Sequence, residues 1–142
     1  MIQKEVKGYR GYVASRPILG MRAPQHVQNI IIRDYAEKNG LLYKLSATEY
    51  CMKNSFLILE KVINEINGID GIIAYSIFMF PENNKSRQKL FSTFIDEGKE
   101  IHSALEGLSL KNKNDIEKWE NIYMTNDITQ QINIKDSSKW LI

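Results

Sequence analysis

Three arginines, Arg16, Arg22 and Arg33, fall within eighteen residues. A guanidinium group grips phosphate or carboxylate through paired N–H donors. Between them, Pro24 to Gln28 suits the first turn of a helix, where unpaired backbone N–H groups favour an anion. Arg16, Arg22, Gln25 and Gln28 therefore outline an anion site, with Arg33 further along the same helix. The plainer alternative is a set of solvated arginines, one of them paired with Asp34. His26 stands in the same turn, where a helix N-terminus favours the neutral imidazole that a general base needs. An exposed or capping histidine is its alternative. Ser15 is a candidate nucleophile, although no base adjoins it in the sequence. Glu49 and Glu106 are carboxylates suited to moving a proton or holding hydroxyl groups, unless nearby arginines satisfy them. Tyr12, Tyr50, Tyr75 and Ser76 would line a pocket with rings and hydroxyls, or else pack in the core. His102 is expected at a core or edge position.

These residues need elements to place them. Gly8 to Ser15 is aromatic and β-compatible, which makes it a first strand. Arg16 to Pro24 holds two prolines and a glycine and reads as a loop. A helix follows to about Lys38 and ends at Asn39-Gly40. Leu41 to Leu45 is predicted as a second strand. Ser55 to Ile66 is a second helix, with Leu59, Val62, Ile63 and Ile66 on one stripe. Gly71 to Phe78 is a third strand whose apolar run fits a central parallel position. Ser86 to Glu97 is predicted helical, Glu100 to Leu105 a fourth strand and Asn114 to Met124 a fourth helix. This alternation predicts an α/β three-layer sandwich: a four-stranded, mainly parallel sheet with helices on both faces. Ligands of such sheets sit beyond the carboxyl ends of the strands. The expected polar groups are Tyr12, Ser15 and Arg16, then Ser46, Thr48, Glu49 and Tyr50, then Tyr75 and Ser76, then Glu106 and Gly107.

Composition bounds the rest. The chain has 142 residues and a formal charge of +2, too balanced to argue for nucleic acid by itself. Residues 1–124 are expected as one domain. Residues 125–142 are expected as a C-terminal tail whose apolar end, Trp140 to Ile142, docks or serves in an oligomer. A single cysteine excludes an internal disulfide and any zinc site built on several thiolates. The expected location is the cytoplasm, since no run resembles a signal peptide or a membrane span. No metal spacing, dinucleotide fingerprint or phosphate-loop lysine is present, so no cofactor or metal is expected.

Two resemblances add to this. GYRGYVASRPILGMRAPQHVQNIIIRDYAEKNGLLYKLSATEY, with DGIIAYSIFMFP and EIHSALEGL, resembles the sporadic carbohydrate cluster proteins of bacterial surface-polysaccharide gene clusters. That resemblance implies a pathway, lipopolysaccharide or O-antigen biosynthesis, more than a reaction. The order of elements is also similar to the catalytic domain of serine recombinases (resolvases), and implies a flavodoxin- or resolvase-like fold. Ser15 falls near that family's nucleophilic serine, Gln25 or Gln28 near its glutamine, and Glu106 near an acidic residue after its fourth strand. FMFPENN, Phe78 to Asn84, has no arginine where that family carries several.

The leading expectation is an enzyme of bacterial cell-surface carbohydrate biosynthesis acting on a small anionic sugar or sugar phosphate. His26, Glu49 and Ser15 would be catalytic. Arg16, Arg22, Gln25, Gln28, Arg33, Tyr12, Tyr50, Tyr75, Ser76 and Glu106 would bind substrate. No membrane or nucleic-acid partner is expected, and a homo-oligomer is compatible with the open sheet edges. The alternatives are a non-catalytic sugar-binding or assembly partner and, more remotely, a resolvase-like nucleic-acid enzyme.

Overall fold

A computed structural model describes residues 6–52 and 55–140, with the backbone alone from residue 130 onward. The strands are β1 (Tyr9–Ala14), β2 (Tyr43–Glu49), β3 (Gly71–Ala74), β4 (Glu100–Ser103) and β5 (Leu108–Leu110). The helices are α1 (Gln25–Lys38), α2 (Leu57–Asn64), α3 (Asn84–Asp96) and α4 (Lys113–Trp140). The sheet order is β2-β1-β3-β4-β5, parallel except for β5, which runs antiparallel to β4. The sheet thus has five strands where four were expected. The fifth is three residues long and returns through a turn in which Gly107 holds φ 68°, a conformation glycine adopts without penalty.

Alternation along the strands divides the core. Tyr12, Ala14, Ile72, Ala74 and Ile101 face α2, α3 and α4, packing with Leu59, Phe91, Phe94 and Trp119. Val13 and Ile73 point the other way, against Ile32 and Ala36 of α1. Arg87 of α3, almost wholly buried, ties this helix to α4. It donates to both carboxylate oxygens of Glu120 at 2.6 Å and to the carbonyls of Pro81 and Glu82. Its guanidinium also lies over the Tyr123 ring, 3.8 Å from the centroid.

Three boundaries differ from expectation, each for a local reason. β2 lies further along than Leu41 to Leu45, and it is an edge strand, so its residues alternate in exposure and lack a continuous apolar run. Its pairing with β1 skips Leu45: Arg10 opposes Lys44 and Gly11 opposes Ser46. Leu45 is 80% exposed, and its carbonyl accepts from Arg10 Nε. β3 stops at Ala74 because Ser76 begins a 3₁₀ turn, its hydroxyl accepting from the Phe78 N–H at 3.2 Å. The stretch expected as a tail continues α4 through Trp140, while Leu141 and Ile142 lie outside the described residues. No helix is long and apolar enough to cross a membrane among the described residues.

Candidate functional site at the β1–α1 connection

Strand order reverses between β1 and β3, which makes the carboxyl ends of these two strands the crevice of the sheet. Ser15 follows β1 directly and is partly exposed. Gln28, fully buried on α1, holds the strand end in place. Its amide nitrogen donates to the carbonyls of Ala14 at 2.7 Å and Ala23 at 2.8 Å, and its oxygen accepts from the Ala14 N–H at 3.1 Å. Both ends of the connection are therefore fixed to one side chain.

The connection is more than an irregular loop. Ile18 and Met21 exchange backbone hydrogen bonds of 2.8 and 3.0 Å around a two-residue turn. Leu19 and Gly20 both have positive φ, 51° and 77°, the geometry of a tight hairpin. Arg22 lies exposed just past it. α1 begins at Gln25, one residue later than expected, with Pro24 as its cap. Gln25 and His26 are exposed in its first turn. Among the described residues no hydrogen bond joins His26 to Ser15.

Several expected site residues are occupied inside the protein. Glu49 is buried, and its oxygens accept from the Tyr12 hydroxyl at 2.8 Å and from the N–H groups of Tyr50, Ile58 and Leu59. It holds the start of α2, whose own cap position, Phe56, offers no side-chain acceptor. Glu106 likewise accepts from the Ser76 hydroxyl at 2.9 Å, the Ile77 N–H at 2.7 Å and the Ser103 hydroxyl. The two carboxylates are not neighbours, as a paired acid and base would be. Glu49 ends β2 and Glu106 follows β4, with β1 and β3 between them. Tyr12, Gln28, Glu49, Ser76 and Glu106, all expected at the site, thus each make internal hydrogen bonds that join strand ends to the turns and helices after them. Arg33 lies away from the crevice, over the Tyr43 ring at 5.2 Å. Asp34 pairs with Lys38 at 2.9 Å rather than with an arginine. Tyr50 is exposed after β2, and Tyr75 packs between the two halves of the core.

Arg16 is divided between two roles. Its terminal nitrogens donate to the carbonyls of Ser55 at 2.9 Å and Met79 at 3.1 Å, and it stacks over Phe56 at 4.9 Å. It also lines a cleft of about 710 Å³ between the connection and α4, with Phe56, Phe78, Tyr123, Asn126, Asp127 and Glu82.

A second polar cluster, at the amino ends of the strands, was not anticipated. Glu100 Oε1 accepts from the Tyr9 hydroxyl at 2.9 Å and from His102 Nε2 at 2.8 Å. A carboxylate only accepts, so Nε2 carries the proton, and the neutral ring's Nδ1 accepts from the Tyr35 hydroxyl at 2.7 Å. Burial pulls the His102 pKa below its ordinary value and outweighs the raising effect of Glu100. Burial acts to raise the Glu100 carboxyl, but the hydrogen bonds from His102 and Tyr9 prevail and hold it below the ordinary range. Burial and the Glu100 contact push Tyr9 upward, and burial with the Glu100 charge does the same to Tyr35. The spacing Glu100-x-His102 on one strand face was the available sequence signal. Among the described residues no group of three or more histidine, cysteine or acidic side chains is arranged to hold a metal ion.

No family model matches this chain, and no curated protein matches it. Among solved structures it is similar to the N-terminal catalytic domain of TP901-1 integrase, with a TM-score of 0.62 at 15% identity, over 87% of this chain and 98% of the other. It is also similar to a resolvase family site-specific recombinase from Streptococcus pneumoniae, with a TM-score of 0.60 at 12% identity, over 92% and 95% of the two chains. These likenesses correct the expectation of a carbohydrate enzyme with a sugar-phosphate ligand, since nothing found points to polysaccharide, lipopolysaccharide or O-antigen biosynthesis. They also remove the ground for setting a nucleic-acid partner aside. The chain has the α/β fold seen in an integrase catalytic domain and a resolvase family recombinase.

Proposed function

We propose that this domain acts on nucleic acid as a phosphoryl-transfer enzyme, with Ser15 as its nucleophile. The observation that carries the reading is the place of Ser15: directly after β1, at the reversal of strand order, on a strand end pinned by Gln28. The structural likeness to two site-specific recombination proteins supports it. In the proposed step the Ser15 oxygen attacks a backbone phosphorus. A serine–phosphate ester forms, one sugar oxygen leaves and takes up a proton, and the serine hydroxyl proton passes to solvent or to His26. Among the described residues, exposed Arg22 and the free N–H groups of Arg16 are cations available to the phosphate oxygens.

A specific observation favours a second reading, binding without cleavage. Arg87 is wholly engaged with Glu120 and two carbonyls, and the turn after β3 is apolar from Ile77 to Phe80. The phosphate would then meet few guanidinium groups. Supercoiled plasmid incubated with the protein and run on a denaturing gel separates the two. A covalent protein–DNA adduct that vanishes in Ser15→Ala supports the enzyme. Binding by both proteins with no adduct supports the second reading, and no binding at all overturns both.

A further inference from the structure

The cleft lined by Arg16, the residue after Ser15, has walls of distinct chemistry. Phe56 and Phe78 contribute rings, Arg16 contributes a cation with N–H groups to spare, and α4 contributes Asn126 and Asp127. Its volume of about 710 Å³ is that of a small-molecule site. A base stacked within a duplex cannot enter such a cleft, whereas an unpaired base can. Aromatic rings beside a cation are the common means of holding unpaired bases.

We infer that this cleft receives one unpaired nucleotide of a nucleic-acid strand, an inference that rests on the nucleic-acid reading above. The phosphate lies at Arg16, the base lies against the rings, and the base edge meets Asp127. Carboxylates accept hydrogen bonds and donate none. Asp127, with Glu82 at the same cleft, therefore favours bases that carry an exocyclic amino group. Thymine presents carbonyls on either side of its only ring N–H, and these repel a carboxylate. The site thus prefers cytosine, adenine or guanine to thymine. It stands immediately after the proposed nucleophile in the chain, so it would set which nucleotide accompanies the reacting phosphate.

The test uses the full chain and fluorescence anisotropy with labelled oligo-deoxycytidine and oligo-deoxythymidine of about twelve nucleotides. The cytidine strand is expected to bind about tenfold more tightly. Asp127→Ala combined with Glu82→Ala brings that ratio to about one. Asn126→Leu narrows the cleft and weakens both strands about fivefold, with duplex binding unchanged. All three positions lie on partly or fully exposed surface, so the fold is retained. Equal binding of the two strands by the unaltered protein, or a preference that survives the double substitution, overturns the inference. A Ser15-dependent adduct without any preference overturns this inference alone, whereas no binding of any strand overturns it together with the reading on which it rests.

Discussion

Glu49→Gln is the most informative single substitution, because structural and catalytic roles predict opposite results. Four donors converge on the carboxylate: the Tyr12 hydroxyl and Leu59 N–H on Oε2, and the Tyr50 and Ile58 N–H groups on Oε1. Glutamine keeps one acceptor and turns the other into an N–H₂ donor. The cheaper orientation points the new amide at Tyr12 and Leu59. The tyrosine hydroxyl can rotate to accept, but the Leu59 N–H cannot, and it is left buried without a partner. That orphan costs about 1–3 kcal/mol. The remaining bonds lose the strength that a charged acceptor gives them, which brings the expected loss to about 2–4 kcal/mol. A domain of ordinary stability, about 5–15 kcal/mol, stays folded after such a loss. Urea unfolding at neutral pH, followed by circular dichroism, should show a lower midpoint at unchanged slope. A loss under about 0.5 kcal/mol, the range of an indifferent surface change, refutes the reasoning. Unchanged stability with abolished DNA-adduct formation would restore Glu49 to a catalytic role.

Four further outcomes follow from the geometry. Stability should fall on the acid side: the unfolded state protonates His102 near 6.5 and Glu100 near 4.5, while both groups have lower values when folded. It should fall again above pH 10.0, where unfolded Tyr9, Tyr12, Tyr35 and Tyr123 ionise before their folded counterparts. A urea midpoint that rises between pH 7 and 5.5 contradicts the first of these. Gly71→Ala should cost about 1–3 kcal/mol, because the new methyl group meets the Glu100 carbonyl oxygen. A thermal melt at the unaltered temperature would contradict it. Arg87→Leu should cost about 3 kcal/mol, the low end for a broken buried pair because Glu120 keeps 16% exposure. Urea unfolding measures it, and a neutral result would mean that α4 is held by its aromatic contacts alone.

The α/β alternation was legible because Leu59 and Val62 of α2 and Ile72 to Ala74 of β3 follow the helical and buried-strand patterns that solvent exclusion imposes. The parallel pairing of β1, β2, β3 and β4 was legible too, since helices alternate with these strands. β5 was not, because Leu-Ser-Leu at residues 108–110 is too short to carry a period. The roles of Glu49 and Glu106 were hidden for a different reason. A carboxylate near a strand end is the same residue in the sequence whether it meets substrate or the free N–H groups of the next turn. Only the fold shows that Ile58, Leu59 and Ile77 supply those groups. Gln28 was noticed for its chemistry, yet it acts by fastening Ala14 to Ala23.

Leu45 bears on the fate of the sheet's open side. A seven-residue outer strand with regular pleating would offer a ladder of free amides to any passing chain. The unpaired Leu45 breaks the rhythm of that ladder in its middle, and its carbonyl accepts from the Arg10 side chain of β1. An incoming strand would find two short, misaligned halves instead of one continuous template. The protein thus carries, at a cost of one exposed leucine, its own guard against growing by strand addition into a polymer.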